Sequence, residues 1–132
     1  MIIGIGTDLL DIARVQAILG QAAGERFLQR VLTPGERELA LSRKGRLAEY
    51  TAGRFAAKEA VVKALGCGIG KEVSFQDIEV LPDAKGKPIV SIAPEALCRL
   101  SLQPHTFAVH LSITHSGTSA MAYAIVESTE AQ

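Results

Sequence analysis

Residues 47–65 have the sequence LAEYTAGRFAAKEAVVKAL, and this stretch decides the fold. It is rich in alanine, has no proline, and contains only Gly53 as an internal weak point, so it predicts a long helix. Gly66 and Gly68 follow and can end it. Apolar side chains occur nearly all round the helix, which indicates that it is buried or lies at an interface.

Several charged residues lie on this helix, and a helix with only a structural role would not need them at these positions. Arg54, Lys58, Glu59 and Lys63 fall among apolar positions, and a buried charge is costly unless it is paired or binds an ion. The simplest interpretation is that Glu59 pairs with Lys63, one turn away in the favourable order. The alternative is that Glu59 serves as a ligand for a cation.

The opening residues, MIIGIGTD, predict a strand over 1–8. Alternation places Ile3 and Ile5 on one face and Gly4, Gly6 and Asp8 on the other. The glycine face is nearly bare, which permits close approach by a ligand or by another chain. An aspartate at a strand end is commonly a cap or turn residue, so Asp8 has an ordinary interpretation as well as a functional one.

The rest of the chain predicts a mixture of short helices and strands. Gly20 or Gly24 should end a first helix, and Thr33 with Glu36 fits a capping box for another helix that continues to about Ser42. In chain order we expect a helix over 11–19, a helix after 33, strands over 74–81 and 87–92, a short helix over 94–100, and a final hairpin over 107–127. Ala120, Ala122 and Ala124 would let a helix pack closely on that hairpin. The order predicts an α+β fold, with an antiparallel sheet packed on the long helix.

Composition narrows the possible functions. The 132 residues suggest a single domain over 1–132, and the 14 basic and 14 acidic residues cancel, so a charged partner must meet a local patch. Cys67 and Cys98 form no C-x-x-C pair, and residues 1–8 lack a basic signal region, so we expect reduced thiols in a cytoplasmic protein. Aromatic residues are too few for a nucleic-acid platform, and residues 110–119 are too polar to lie in a membrane.

Three segments together are specific enough to indicate a family. They are GIGTD at 4–8 running to Arg14, GRFAAKEAVVKALG at 53–66, and LSITHS at 111–116 before the small-residue strand. The chain resembles the holo-acyl-carrier-protein synthase family of the 4′-phosphopantetheinyl transferases from residue 2 to about residue 126. The resemblance implies transfer of 4′-phosphopantetheine from coenzyme A to a carrier-protein serine, with release of adenosine 3′,5′-bisphosphate.

The resemblance also assigns roles to individual residues. Asp8 and Glu59 are the implied Mg²⁺ ligands, and carboxylates with substrate phosphates are what Mg²⁺ prefers. Lys63 and His115 are the further implied catalytic residues, although a half-exposed turn histidine is the ordinary interpretation of His115. The implied coenzyme A contacts are Arg54, Phe55, Lys58, Gly66, Gly86, Lys87 and Pro88.

Two kinds of partner are implied as well. Short members of the family form homotrimers with active sites between subunits, which fits the bare Gly4 and Gly6 face and would let neighbouring chains supply Asp8 and Glu59. Carrier proteins of this type are acidic, and Arg14, Ile18 and Arg26 are the residues that match the carrier-binding surface.

Two other classes of function are compatible with parts of the pattern. A non-catalytic module that binds coenzyme A would need the phosphate contacts but not both Asp8 and Glu59. A metal-dependent pyrophosphate hydrolase would need a way to hold an attacking water but no carrier-binding patch. Incubation with coenzyme A, Mg²⁺ and an apo-carrier protein distinguishes the three functions, because only the transferase increases the mass of the carrier.

Overall fold

The computed structural model describes residues 1–43 and 45–130. The helices are α1 (Ile12–Leu19), α2 (Gly24–Val31), α3 (Pro34–Ala40), α4 (Leu47–Leu65) and α5 (Pro94–Arg99). The strands are β1 (Ile2–Asp11), β2 (Ile78–Pro82), β3 (Pro88–Ile92), β4 (Phe107–His115) and β5 (Ser119–Ser128). None of the described helices combines the length and the apolar character needed to cross a bilayer.

Helix α4 packs on one face of an antiparallel sheet with strand order β1-β5-β4. Ala120, Ala122 and Ala124 of β5 are fully buried or nearly so against the helix side of this sheet. Their small side chains allow the close approach that the sequence indicates. The predicted α+β fold, with an antiparallel sheet on a long central helix, is confirmed.

Strand β1 lies against α4 with no side chain between the two backbones at its glycines. A Cβ atom added at Gly6 would lie 1.9 Å from the carbonyl oxygen of Ala60, and one added at Gly4 would lie 1.9 Å from that of Ala64. The glycines are therefore required by the contact between strand and helix within one chain. The expectation that this bare face meets a ligand or another chain is wrong, because α4 covers it.

The opposite face of the same sheet is open and apolar. Among the exposed large apolar residues, Ile3, Ile5, Leu9, Met121 and Tyr123 lie on β1 and β5. Leu9 is 68% exposed and Tyr123 is 41% exposed. A contiguous surface of this kind is typical of a protein–protein interface.

Other elements pack on the side of α4 that faces away from this sheet. Strands β2 and β3 form a separate antiparallel pair, from Ile78 opposite Ile92 to Pro82 opposite Pro88. The predicted strand over 74–81 begins later than expected, because Ser74 caps a single 3₁₀ turn formed by Phe75–Asp77. The capping box of Thr33 and Glu36 is present as predicted, and α3 ends at Ala40.

Helix α2 was not predicted from the sequence. Gly20 ends α1, and Gly24 begins α2 instead of ending a helix. Gly24 is buried, and an added Cβ would lie 2.6 Å from the carbonyl oxygen of Leu19. The glycine is thus kept for a close helix–helix contact, which local sequence signals for helix ends do not distinguish from a stop.

Candidate active site

Two carboxylates and one ammonium group meet where β1 crosses α4. Lys63 Nζ lies 3.3 Å from Asp8 Oδ1 and donates a hydrogen bond of 2.9 Å to the carbonyl oxygen of Thr7. Glu59 is one helical turn before Lys63 on α4, and the contact of Gly6 with Ala60 places β1 at this level of the helix. The glycine at position 6 therefore brings the strand close enough for Asp8 to reach the Lys63 side chain.

The electrostatics of Glu59 show that Asp8 is close to it. Burial raises the pKa of the Glu59 carboxyl, the charge of Asp8 raises it further, and Lys63 partly offsets both. The ion pair of Lys63 is with Asp8, so the interpretation of Glu59 as a simple partner of Lys63 is not the arrangement observed. Asp8 and Glu59 come from one chain, and the expectation that neighbouring chains supply them is wrong.

The donor set of this site fits Mg²⁺. Mg²⁺ is bound in proteins by one or two carboxylates together with water and substrate phosphates, so it needs no larger protein cage. Across residues 1–43 and 45–130, no group of three or more acidic, histidine or cysteine side chains is assembled. Burial and the nearby charge of Asp8 raise the pKa of Glu59, so a cation placed between these two carboxylates would stabilise their ionised forms.

His115 lies at the other end of α4. It ends β4, and its Nδ1 atom lies 2.8 Å from Oε1 of Glu49 in the first turn of the helix. Glu49 and Glu59 are ten residues apart, which corresponds to about 15 Å along the helix axis at 1.5 Å per residue. A single chain therefore does not bring His115 together with Asp8 and Glu59.

Lys58 is a correction to the sequence-based assignment. Its side chain is fully buried, and Nζ donates to Glu36 Oε1 at 2.7 Å and to the carbonyl oxygens of Val31 at 2.7 Å and Phe75 at 2.9 Å. An ammonium group has three hydrogens, and all three are used. Lys58 therefore cannot bind a phosphate of coenzyme A, and that prediction is wrong.

Glu36 completes this buried group. Its Oε1 also accepts from the backbone N–H of Thr33 at 2.8 Å, and its Oε2 accepts from that of Val80 at 2.7 Å. Desolvation lowers the pKa of Lys58, and the charge of Glu36 acts against that shift. We call Lys58 and Glu36 the buried ion pair, and it joins α2, α3, α4 and β2.

Arg54 and Phe55 both make contacts with side chains of the interior, which the sequence pattern did not predict. The Arg54 guanidinium carbon lies 4.5 Å from the centre of the Tyr50 ring, and Nε donates to the carbonyl oxygen of Val80 at 3.2 Å. Phe55 stacks between Phe27 and Phe75, with ring centres 6.3 Å and 5.0 Å away. Both residues are only partly buried, so their predicted roles toward coenzyme A stay predictions.

The other predicted coenzyme A residues lie in two exposed turns. Gly66 ends α4 with a φ of 87°, and Gly86 has a φ of 85° in the turn before β3, where a side chain would be strained. Lys87 is exposed, and Pro88 begins β3. These positions have room for a ligand, and their role also stays a prediction.

The predicted carrier-binding residues lie on two helices that contact each other. Arg14 and Ile18 lie on α1 one turn apart, and Arg26 lies on the neighbouring α2. Both arginines are exposed, and Ile18 is half-buried. Glu49, which contacts His115, was not singled out by the sequence, because a glutamate in a first helical turn is an ordinary helix-stabilising choice.

Comparison with known proteins agrees with this geometry. The family model for the 4′-phosphopantetheinyl transferase superfamily matches residues 4–125. A curated holo-[acyl-carrier-protein] synthase of Bacillus cereus (strain G9842) is 48% identical, and the alignment covers 97% of this chain and 98% of the relative.

Solved structures show the same likeness. A holo-(acyl-carrier-protein) synthase from Bacillus anthracis, in complex with CoA (3′,5′-ADP), has a TM-score of 0.82 and 46% identity over 98% of this chain and 99% of that one. The Helicobacter pylori synthase in complex with coenzyme A has a TM-score of 0.79 and 34% identity, covering 93% and 99% of the two chains. This chain therefore belongs to the holo-[acyl-carrier-protein] synthase family of the 4′-phosphopantetheinyl transferase superfamily.

Proposed function

We propose that the protein transfers 4′-phosphopantetheine from coenzyme A to a serine hydroxyl of an apo-acyl-carrier protein. The products are the holo-carrier protein and adenosine 3′,5′-bisphosphate, and residues 1–132 act as a single transferase domain. The observation that carries the proposal is the meeting of Asp8, Glu59 and Lys63 where β1 crosses α4. This site has two acidic groups for a divalent cation and one basic group for a phosphate.

Asp8 and Glu59 are the proposed holders of Mg²⁺. Mg²⁺ held there with the pyrophosphate of coenzyme A would neutralise the negative charge that develops as the bridging P–O bond breaks. Lys63 pairs with Asp8, and its side chain is half-exposed. This exposure leaves the ammonium group room to turn toward a phosphate that enters the site. No covalent intermediate on the protein is required, since positioning and charge stabilisation carry most phosphoryl transfers.

A homotrimer with active sites between subunits is part of the proposal. The open sheet face carries Ile3, Ile5, Leu9, Met121 and Tyr123, and burying it against other copies would remove apolar surface from water. His115 is too far along α4 to reach the Glu59 site of its own chain, so its predicted contact with the pyrophosphate requires a neighbouring subunit. The apolar face supports the assembly, and the separation of His115 from Glu59 supports shared sites.

Coenzyme A is proposed to lie along the exposed turns near α4. Arg54 retains terminal nitrogens for a phosphate, and Phe55 presents part of its ring. Gly66, Gly86, Lys87 and Pro88 are proposed to border the nucleotide, where small residues and one exposed cation suit a phosphate-bearing ligand. The relatives solved with coenzyme A support this choice of substrate.

An acidic carrier protein is the proposed protein partner. Arg14 and Arg26 offer exposed positive charge, and the half-buried Ile18 offers an apolar contact. A cytoplasmic location is also proposed, and the unpaired Cys67 and Cys98 agree with a reducing compartment.

One assay tests the proposal as a whole. The protein is incubated with coenzyme A, Mg²⁺ and an apo-acyl-carrier protein, and the carrier is weighed by mass spectrometry while nucleotide products are separated by chromatography. We expect a gain of one phosphopantetheine per carrier and an equal amount of adenosine 3′,5′-bisphosphate. Consumption of coenzyme A without a change in carrier mass would indicate a hydrolase, and binding without turnover would indicate a binding module.

A further inference from the structure

The contact between His115 and Glu49 limits what the histidine can do. His115 Nδ1 and Glu49 Oε1 lie 2.8 Å apart. An ionised carboxylate has no proton to donate, so this contact favours the ring form that carries a proton on Nδ1. The contact with Glu49 is made by Nδ1, and Nε2 has no partner among the contacts of the described residues. Carboxylate–histidine pairs elsewhere fix the tautomer and the orientation of the ring in the same way.

The position of Glu49 suits this task. It lies in the first turn of α4, where the helix dipole stabilises a carboxylate, and its side chain is half-buried. His115 lies at the end of β4, next to the hairpin turn. The pair therefore ties a strand end to a rigid helix and restricts rotation of the imidazole ring.

A cavity of about 440 Å³ adjoins the pair, between the beginning of α1, the beginning of α4 and the β4–β5 turn. The ionisable side chains that line it are Arg46, Glu49 and His115, and its other lining residues have no ionisable side chain. Phosphate oxygens are hydrogen-bond acceptors, so Nε2 can bind one only when it carries a proton as well.

We propose that Glu49 is a positioning residue that holds Nδ1 of His115, so that Nε2 is the donor to a phosphate oxygen of coenzyme A. This inference rests on the proposed function, since it names coenzyme A as the ligand. Binding then takes up a proton from solvent onto Nε2 wherever the free ring is neutral. Glu49 touches no substrate in this arrangement and acts through His115 alone.

Calorimetry of coenzyme A binding, with Mg²⁺ present and no carrier protein, measures the effect without turnover. We expect Glu49→Gln to raise the dissociation constant about tenfold, the effect of weakening one charge-assisted hydrogen bond. Glu95→Gln is the matched control, because Glu95 also lies in a first helical turn and is exposed.

A double substitution distinguishes positioning from a general loss of charge. In a His115→Ala background, Glu49→Gln should change the dissociation constant less than about twofold, because the residue through which it acts is gone. A tenfold effect that persists in that background would overturn the proposal. So would equal affinity of the parent and Glu49→Gln.

The tautomer of His115 in the free protein gives a readout that does not depend on coenzyme A. Long-range ¹H–¹⁵N spectra, with the His115 signal identified by its absence in His115→Ala, should show a proton on Nδ1 in the parent and a change of tautomer or loss of its Nδ1 signal in Glu49→Ala. A parent ring protonated only on Nε2 would overturn the proposal. If this spectrum is as expected but the parent binds no coenzyme A, the proposed function fails while the contact between Glu49 and His115 stands.

Discussion

At the scale of single residues, the site depends on charges that are poorly neutralised before a ligand arrives. Asp8 is paired with Lys63, whereas Glu59 is partly buried and is repelled by Asp8, so its pKa is raised. A glutamate whose pKa is higher in the folded protein than in the unfolded chain destabilises the fold when it is ionised. The proposed metal site thus has a cost in stability that a bound cation would offset.

Glu59→Gln tests this cost and the proposed role together. The amide keeps the shape but removes the charge, so turnover should fall at least about 100-fold. Without Mg²⁺, the variant should unfold at a higher urea concentration than the parent at pH 7. The difference should shrink as the pH falls through the raised pKa, because Glu59 of the parent then binds a proton and loses its charge. Glu38→Gln, an exposed control, should change neither measurement, and a variant less stable than the parent at pH 7 would contradict the electrostatic argument.

Lys58→Met tests the buried ion pair. The substitution leaves the Glu36 carboxylate buried without its cation, which typically costs about 3–5 kcal/mol of unfolding free energy. Urea unfolding followed by circular dichroism measures the loss. Lys87→Met is the control, because Lys87 is exposed and should stay within about 0.5 kcal/mol of the parent. A loss below about 1 kcal/mol for Lys58→Met would show that the pair contributes little.

The candidate site was only partly predictable from residue patterns. Asp8 and Glu59 were identified through the family resemblance, and spacing alone left the ordinary interpretations open. Lys58 was assigned wrongly, because its partner Glu36 is 22 residues away in sequence and only the fold brings the two together. Glu49 was missed for the same reason, since its contact with His115 spans from α4 to the end of β4.

At the scale of elements, β1 and α4 form the contact on which the site is built. The alternation of MIIGIGTD correctly predicted that Gly4 and Gly6 share a bare face with Asp8. The alternation could not predict what packs against that face. A closely packed helix and a bound ligand both require small residues, so the sequence pattern is the same for each. Helix α2 was missed because its first residue, Gly24, is a weak helix former that is retained for a tight contact with Leu19.

Gly6→Ala tests the role of the bare face. The added methyl would lie 1.9 Å from the carbonyl oxygen of Ala60, so β1 must move away from α4. We expect a loss of at least about 2 kcal/mol of unfolding free energy, together with a loss of turnover as Asp8 is displaced. Gly68→Ala is the control, since its Cβ would meet nothing within 4 Å. Unchanged thermal unfolding of Gly6→Ala would contradict the close packing of strand and helix.

At the scale of the whole molecule, the sheet has one face against α4 and one face open. The open face is apolar and is the surface of the proposed assembly, and α1 and α2 carry exposed arginines that would meet the proposed acidic partner. The two surfaces lead to separate predictions, one for the state of assembly and one for carrier binding.

Leu9→Glu should weaken the proposed trimer. Leu9 is 68% exposed in a single chain, so a charge there is tolerated by the fold but is buried against the other copies in the assembly. Light scattering should show a smaller particle, circular dichroism should show the same helix content, and turnover should fall more than about tenfold if sites are shared. Ile89→Glu, on the exposed strand β3, should leave the mass unchanged. A parent protein that is monomeric at assay concentrations would contradict the trimer itself.

Arg14→Ala should affect the carrier protein and not coenzyme A. Loss of one exposed charge from the docking surface should raise the KM for the carrier about fivefold and reduce the dependence of that KM on salt. Steady-state kinetics at several ionic strengths measure both effects, and Lys71→Ala, an exposed lysine on another surface, is the control. Carrier kinetics that match the parent at every salt concentration would remove Arg14 from the docking surface.

The alternation along β1 sorts its substitutions into two groups that a saturation-mutagenesis experiment would separate. At positions 4 and 6, where the helix backbone leaves room only for hydrogen, every replacement damages the monomer itself. At positions 3, 5 and 9, the monomer should accept other side chains, and substitutions there should be limited only by the partner that covers this outer surface. With the proposed assembly, one short strand would therefore carry two constraints, one from folding at positions 4 and 6 and one from assembly at positions 3, 5 and 9.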